Sequence, residues 1–280
     1  ALLGLAVLAL FGWYERRIDH PAFDVTHLRD PRLATALGII GIVFFAMMGA
    51  MFFLVFYLQI VRGFSALQAG ALLLPFAAAQ LIFAPVSARM VARFGGRRTA
   101  TVSMLAVAAA LAGYALLDTG TPVPAMLAVF FVQGAAMANI VPPATTAIME
   151  ALPREKAGVG SAMGNTARQV GGALGVAVLG SVLSAGYRGE IGPALAGLPE
   201  EARHAAGESL AATVAVAHGL GARGAALLGP ATDAFLAGMR LAALVAAAVV
   251  ALGALAVVRW LPAGAAVRPR VEEERRSAVG

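Results

Sequence analysis

The chain has 280 residues, of which 60% are hydrophobic and only 13% are charged, a balance far from that of a soluble domain. Its 21 Arg and Lys residues exceed its 15 Asp and Glu residues, but apolar runs separate them, which excludes a continuous nucleic-acid groove. The chain has no cysteine, which excludes disulfides, thiol chemistry and a cysteine metal site.

Six apolar stretches alternate with polar segments along the chain. They are residues 33–61, 66–88, 99–117, 123–149, 157–185 and 234–258, and each is long enough for the about 20 helical residues that cross a hydrocarbon core. Most of the basic residues lie in residues 15–32, 89–98, 150–156 and 259–280, all on the same side of successive spans. Because loops rich in Arg and Lys stay cytoplasmic, the pattern predicts an all-α integral membrane protein with its basic loops inside.

The organisation along the chain follows from these spans. Residues 1–14 are apolar but too short to cross a membrane, and we interpret them as the end of a truncated transmembrane helix. Residues 15–32 form a cytoplasmic connector, residues 33–258 form a six-helix transmembrane bundle with an external loop at 187–232, and residues 259–280 form a cytoplasmic tail. We therefore expect the C-terminal part of a larger transmembrane protein.

The spans differ in polarity, which predicts their surroundings. Residues 99–117 carry few polar side chains, and residues 241–258 are almost purely Ala, Leu and Val, so we expect both to face lipid. The other four spans carry amides and an arginine at membrane depth, where polar side chains face bundle interiors or water-filled cavities. We expect these four to surround a wet interior.

Arg168 is the most informative single residue. It follows Lys156 by 12 residues, which is about 18 Å of helix and indicates mid-depth in a core of about 30 Å. Gly160, Gly164, Gly171 and Gly175 lie on nearly the same face, and such a stripe allows close approach of another helix. Two interpretations remain open: a structural bond to loosened backbone carbonyls, or a functional role.

A second group of residues is a candidate for binding a small molecule. Gln59, Phe56, Gln133 and Asn139 could line a mixed apolar and hydrogen-bonding pocket together with neighbouring aromatic side chains, although aromatic side chains in spans more often face lipid or ordinary packing. The pair Pro142–Pro143 follows Asn139. Such a pair removes backbone hydrogen bonds and bends a helix, and bent helices often border substrate sites.

The loop at residues 87–98 has a mechanical interpretation. Gly95 and Gly96 allow a tight reversal between antiparallel spans. Arg93 lies at a helix C-terminus, where the dipole favours a cation, whereas Arg97 stands at a helix N-terminus, where it does not. Positive-inside anchoring alone would explain the arginines, and a role in gating is the alternative.

Several motifs together resemble one family. The segments are Phe-Tyr-Leu-Gln at 56–59, Gly-Phe-Ser-Ala-Leu-Gln-Ala-Gly at 63–70, Leu-Pro at 74–75, Ala-Gly-Val-Gly-Ser-Ala at 157–162 and Asn-Thr-Ala-Arg-Gln-Val-Gly-Gly-Ala-Leu-Gly at 165–175, with Glu-Arg-Arg-Ile-Asp-His-Pro at 15–21. They resemble the fourteen-helix drug–proton antiporters of the major facilitator superfamily. The arginine-rich loop is similar to that superfamily's cytoplasmic loop motif, but Ala88 replaces its Gly and Ala92 its Asp.

The resemblance implies the C-terminal six-helix half of a major facilitator fold, with the end of a preceding linker helix. It implies proton-coupled export of small hydrophobic compounds or drugs, with the first and fourth spans lining the cavity and the second and fifth meeting a missing N-terminal bundle. Substrate binding is expected at Gln59, Phe56, Gln133 and Asn139. The residues expected to act in interdomain contact or gating are Asn165, Arg168, Gln169, Arg93, Gly95 and Arg97.

The expected partners are the lipid bilayer, the missing bundle and a small organic substrate, in a functional monomer of a bacterial inner membrane, without nucleic acid, cofactor or metal. The main alternative is a non-transporting membrane sensor or assembly module. An intramembrane enzyme is a weaker alternative, because the four His residues lie in connectors and no carboxylate lies mid-span.

Overall fold

The computed structural model describes residues 30–221 and 224–260, and these residues form ten α-helices and no strand. The helices are α1 (Pro31–Phe56), α2 (Ala66–Leu72), α3 (Leu74–Phe94), α4 (Gly96–Tyr114), α5 (Val123–Ala138), α6 (Val141–Glu150), α7 (Ala157–Ile191), α8 (Glu200–Glu208), α9 (Leu210–Gly219) and α10 (Ala225–Trp260). The expected helix at 1–14, the connector up to residue 29 and the tail from residue 261 lie outside the described residues.

Five helical segments are long and apolar enough to cross a membrane: Pro31–Val61, Ala66–Phe94, Val123–Glu150, Ala157–Leu195 and Ala225–Arg259. The sixth predicted span is α4, a helix of 19 residues whose first turn carries Arg97 and Arg98, so its mean hydropathy is lower. It packs against α5 and α10 within the bundle. The all-helical membrane bundle predicted from the sequence is confirmed.

Three of the spans are interrupted, each for a local reason. The first continues from α1 into a π-helical turn at Tyr57–Val61. The second begins with the short helix α2, which Ser65 and Gln68 cap reciprocally, and restarts at α3 beside Pro75. The fourth breaks at Asn139, because the prolines that open α6 have no N–H to continue the hydrogen-bond ladder of α5.

Helices α1 and α7 pack backbone against backbone and run in the same direction. A Cβ at Gly171 would overlap the carbonyl of Gly41, and a Cβ at Gly175 would overlap the carbonyl of Phe45. The backbones touch because both positions on α7 lack a side chain. The tight seam predicted from the glycine stripe is therefore present, while Gly160 of the same stripe lies against Leu152.

Helix α10 closes the bundle on one side. It crosses α7 where Gly186 meets Gly238, and Gly253 lies against Met104 of α4 and Ile42 of α1. Ala242, Ala246, Val250, Ala254 and Val257 of α10 are buried, whereas Leu241, Leu244, Leu252 and Leu255 are exposed. The lipid-facing surface expected for residues 241–258 is thus one face of the helix, and the other face packs in the core.

The segment between α7 and α10 is more helical than expected. Helix α7 continues to Ile191 and α10 begins at Ala225, so both extend past the predicted ends at residues 185 and 234. The loop contains two helices, α8 and α9, divided at Ser209, whose side chain accepts a hydrogen bond from the Ala212 N–H. Thr213 of α9 lies 2.5 Å from the Tyr187 hydroxyl and donates to the Ala206 carbonyl at 2.6 Å.

The seam predicts a sharp difference between two glycines of the same helix. Gly175→Ala places a methyl group on the Phe45 carbonyl and is expected to destabilise the bundle by about 1–3 kcal/mol, the usual cost of overpacking. Gly189→Ala meets no atom within 4 Å and removes a helix-weakening glycine, so its stability is expected to stay equal or rise. Thermal unfolding of both variants in detergent tests this, and equal midpoints would contradict the seam.

Candidate functional site: an apolar cavity and a polar helix face

A cavity of about 130 Å³ lies between α1, α3, α4 and α5. Its wall is almost entirely apolar, and it is lined by Met47, Met48, Ala50, Met51, Leu54, Leu73, Phe76, Tyr114, Phe130 and Gln133. Three of these residues are methionines, whose flexible and polarizable side chains adapt to ligands of different shape. The cavity therefore suits hydrophobic molecules without demanding a single outline.

The polar groups of the cavity wall form one pair. The Tyr114 hydroxyl of α4 donates to the Gln133 Oε1 of α5, and both side chains are buried. The rings of Phe53 and Phe130 stand edge-on to Tyr114 at 6.3 and 5.8 Å between centroids. In such a dry setting an unpaired polar group costs about 1–3 kcal/mol, so each member of the pair stabilises the other.

Close packing of α5 on α3 shapes this cavity. A Cβ at Gly134 would overlap the backbone carbonyl of Phe76, so only glycine permits this approach. The contact places Phe76 of α3 and Gln133 of α5 on the same cavity wall. The break before α3 leaves Leu73 at the edge of the cavity.

Of the four residues predicted to bind substrate, only Gln133 lines the cavity. Gln59 is exposed, because it lies on the same helix face as the exposed Val55, four residues earlier, while its neighbours Tyr57 and Leu58 are buried. Phe56 is half-buried against Phe52, with 5.4 Å between the ring centroids. The structure therefore does not bring the four side chains together at this cavity.

Asn139 occupies the helix break between α5 and α6. Its Nδ2 donates to the Ala135 carbonyl at 2.8 Å, whereas its buried Oδ1 has no hydrogen-bond partner among the described residues. This arrangement satisfies the helix end and leaves one acceptor inside the bundle. The kink predicted from Pro142 and Pro143 is present, but Asn139 is not part of the cavity wall.

Tyr114 is the polar residue of the cavity wall that the sequence did not predict. The span that contains it was expected to face lipid, yet Met104, Val107, Leu111 and Tyr114 of α4 are buried. The sequence feature that could have pointed to Tyr114 is that it is the one tyrosine in residues 99–117, while neighbouring spans carry glutamines that could pair with it. It was not decisive, because the sequence does not show which face of α4 packs inward.

Arg168 lies at the edge of the seam between α1 and α7. Its Cζ is 5.9 Å from the centroid of the Phe44 ring, a distance compatible with a cation–π contact. Its Nε is buried and has no hydrogen-bond partner among the described residues. Charged side chains in spans cost about 2.5–3.5 kcal/mol on insertion scales and mark functional sites.

The packing register corrects the depth of Arg168. Gly41 of α1 lies against Ala167 and Gly171, and Gly41 is in the first third of the span Pro31–Val61. Ile42 contacts Gly253, six residues before Arg259. The end of the bundle that carries Arg259 and the arginines of residues 89–98, which we call the basic end, therefore lies within about 9 Å of this level. Arg168 therefore sits in the third of the span nearest the basic end, because α7 begins well before the apolar core.

The other predicted gating residues lie in two places. Asn165 and Gln169 are exposed on α7 beside Arg168. Gly95 has a φ of +82°, which explains the glycine at the reversal between α3 and α4. Arg93 is exposed above the Phe94 ring at 5.3 Å, and Arg97 is half-buried. The loop and the α7 cluster are thus separate features of the basic end.

Hydrogen bonds close the opposite end of the bundle. Arg62 donates to the Thr121 carbonyl at 2.7 Å, and the Tyr57 hydroxyl donates to the Asp118 carbonyl at 2.8 Å. The Thr121 hydroxyl and the Gly120 N–H donate to the Asp118 carboxylate at 2.8 and 2.9 Å, and they hold the pKa of Asp118 below its ordinary value. The sequence did not predict these hydrogen bonds at Arg62, Tyr57 and Asp118.

Comparison with known proteins decides the family. A sequence model of the Major Facilitator Superfamily matches residues 1–176. The chain belongs to the Major Facilitator Superfamily. The resemblance inferred from the motifs is confirmed, and the superfamily consists of transporters. Within residues 30–221 and 224–260, no group of three or more His, Asp or Glu side chains could hold a metal ion.

Several relatives of the chain are named as resistance or efflux proteins. The chain is 33% identical over 277 residues to "Multidrug resistance protein Stp" of Mycobacterium tuberculosis, covering 91% of this chain and 49% of that protein. It is 33% identical over 262 residues to "Multidrug efflux pump LfrA" of Mycolicibacterium smegmatis, covering 91% and 51%. It is 35% identical over 193 residues to the "Tetracenomycin C resistance and export protein" of Streptomyces glaucescens, covering 68% and 36%.

The chain spans about half the length of the first of these relatives. The chain is a multi-pass membrane protein whose named relatives are bacterial transporters, which supports an inner-membrane location.

Proposed function

We propose that the complete protein exports small hydrophobic organic compounds across the bacterial inner membrane in exchange for protons, and that this chain supplies one wall of the binding site. The observation that carries the proposal is the methionine-rich cavity with its single polar pair, Tyr114 and Gln133. Relatives named as multidrug resistance and efflux proteins support the same direction of transport.

The cavity can recognise a ligand in two ways. Burial of apolar surface against the methionines and phenylalanines stabilises a bound molecule by about 25 cal/mol per Å². The Gln133 Oε1 already accepts a hydrogen bond from Tyr114. The Gln133 amide N–H groups can therefore donate to a carbonyl or ether oxygen of the ligand. Apolar bulk then sets the affinity, while one directional bond sets the orientation.

The cavity is too small to hold a drug-sized molecule by itself, which supports a binding site completed by another part of the complete protein. Its volume is about 130 Å³, whereas drug-sized ligands occupy pockets of about 300–1,000 Å³. The spans Ala66–Phe94 and Ala157–Leu195 are also the least covered, with 11% and 33% of their apolar windows buried, against 44% to 50% for the other three. We propose that a further bundle of the same protein stands opposite their uncovered faces, in a functional monomer, with the substrate path between the two bundles.

The charge distribution supports one orientation in the membrane. Arg89, Arg93, Arg97 and Arg98 share one end of the bundle with Arg259, and residues rich in Arg follow to the end of the chain. Under the positive-inside rule this end is cytoplasmic. The cavity then lies toward the external side, and the hydrogen bonds of Arg62 and Tyr57 hold the external end of the bundle together. Residues 259–280 are then cytoplasmic.

The cavity predicts which substitutions impair export by the complete protein. Gln133→Leu keeps the side-chain volume but leaves the Tyr114 hydroxyl unpaired, so we expect about a tenfold loss of drug efflux, equivalent to about 1.4 kcal/mol. Tyr187→Phe removes a buried, hydrogen-bonded tyrosine hydroxyl away from the cavity and serves as the matched control. Efflux is measured in cells at equal membrane expression, and wild-type efflux by Gln133→Leu would contradict the proposal.

Proton coupling is predicted to use carboxylates outside this chain's spans. The described spans carry acids only toward their ends, at Glu150, Glu190 and Asp233. Transport by the complete protein in vesicles should stop when an ionophore dissipates the pH gradient. Asp233→Asn and Glu190→Gln should both keep gradient-driven transport. Loss of coupling in either variant would place the coupling group here.

A further inference from the structure

Helix α7 presents an uncovered polar face near the basic end of the bundle. Ser161, Asn165, Arg168 and Gln169 fall within a sector of about 100°, and Ser161, Asn165 and Gln169 are exposed. The glycines that pack on α1 lie beside this sector. Polar side chains at membrane depth face a water-filled space or another helix and not lipid. In the α1–α7 register Arg168 and Gln169 lie deepest of the four, so their part of the face borders the inside of the transporter.

The guanidinium of Arg168 has unused donors. Among the described residues no carboxylate forms an ion pair with it and no group accepts a hydrogen bond from it. Its Nε is buried, whereas its two terminal amino groups are not among the buried unpaired atoms, so they are accessible. Because arginine stays protonated in proteins, this is a permanent positive charge, and its terminal donors have no acceptor within residues 30–221 and 224–260.

The polar face adjoins the apolar cavity through a single side chain. Met48 lines the cavity, and its Cγ lies 2.9 Å from the position of a Cβ at Gly172. Gly172 follows Arg168 by four residues, which is about 6 Å along the helix. A molecule with a charged group at Arg168 can therefore place its apolar body against Met48 and the cavity.

We propose that Arg168, with the carboxamides of Asn165 and Gln169, binds the oxyanion of an amphiphilic substrate such as a carboxylate or phenolate. This inference rests on the proposed export of hydrophobic compounds and names their charge class. The planar guanidinium offers two parallel N–H donors to a carboxylate, and the amide groups on the same face add neutral donors.

The charge balance of this chain favours an anion over a cation at the face. No Asp or Glu lies in the middle of a described span, whereas Arg168 places its positive charge near the basic end. In a site of low dielectric such a potential attracts anions and repels ammonium groups. The carboxylates nearest the face along α6 and α7, Glu150 and Glu155, are exposed, which weakens their effect through solvent screening.

The test compares three pyrene probes on the complete transporter in nanodiscs: pyrenebutyrate, its primary amide and the pyrenebutylammonium analogue. Fluorescence anisotropy gives each dissociation constant. We expect the carboxylate to bind about tenfold more tightly than the amide, and the ammonium probe most weakly. Arg168→Ala should abolish the preference without changing amide affinity, whereas Arg168→Lys should retain part of it, because a point charge lacks the planar fork.

Arg240→Ala is the matched control, since Arg240 is a second arginine of the apolar spans but donates to the Ala115 carbonyl at 3.1 Å. It should leave the carboxylate preference unchanged. Equal binding of carboxylate and amide by the wild type, or a preference that survives Arg168→Ala, would overturn the anion site alone. If none of the probes binds, the proposed export function fails with it.

Discussion

The backbone contact between α1 and α7 determines most of what this bundle can do. Gly171 and Gly175 lack the side chains that would otherwise separate the two helices, so the carbonyls of Gly41 and Phe45 lie directly against them. Without a hydrophobic driving force between helices in lipid, such close packing is a main source of association. The same contact fixes the register, which in turn sets the level of Arg168 and brings Met48 against Gly172.

This register divides the inside of the bundle into two chemical zones. Toward the basic end, α7 carries the charge of Arg168 and the carboxamides of Asn165 and Gln169. Further along the bundle, the methionines, Phe130 and the Tyr114–Gln133 pair line the apolar cavity. The interruption between α2 and α3 borders the cavity at Leu73, whereas the break between α5 and α6 at Asn139 lies outside its wall. Prolines open the helix after each interruption and account for the lost backbone hydrogen bonds. An amphiphile entering from the basic end meets the charge first and the apolar surface second.

The sequence was sufficient for the membrane class, the helix positions and the family, because hydropathy and charge act locally. The glycine stripe on α7 also predicted a tight seam, since small residues repeated along one face of a helix let a neighbouring backbone approach. It did not reveal that Tyr114 pairs with Gln133, because this depends on which faces of α4 and α5 meet. The exposure of Gln59 was not predicted, because the sequence does not show which face of α1 packs inward. The depth of Arg168 was overestimated, because distance along α7 does not measure depth in the bilayer.

We propose that the polar face of α7 borders an aqueous path inside the complete protein. Single cysteines at Asn165 and Leu252, in an otherwise cysteine-free complete transporter, test it most directly, because both positions are exposed in this chain and Leu252 belongs to the apolar outer face of α10. The measured quantity is the rate of reaction with a charged methanethiosulfonate reagent. The account predicts that Asn165→Cys reacts rapidly while Leu252→Cys in lipid reacts very slowly, and equally slow reaction at both positions would contradict it.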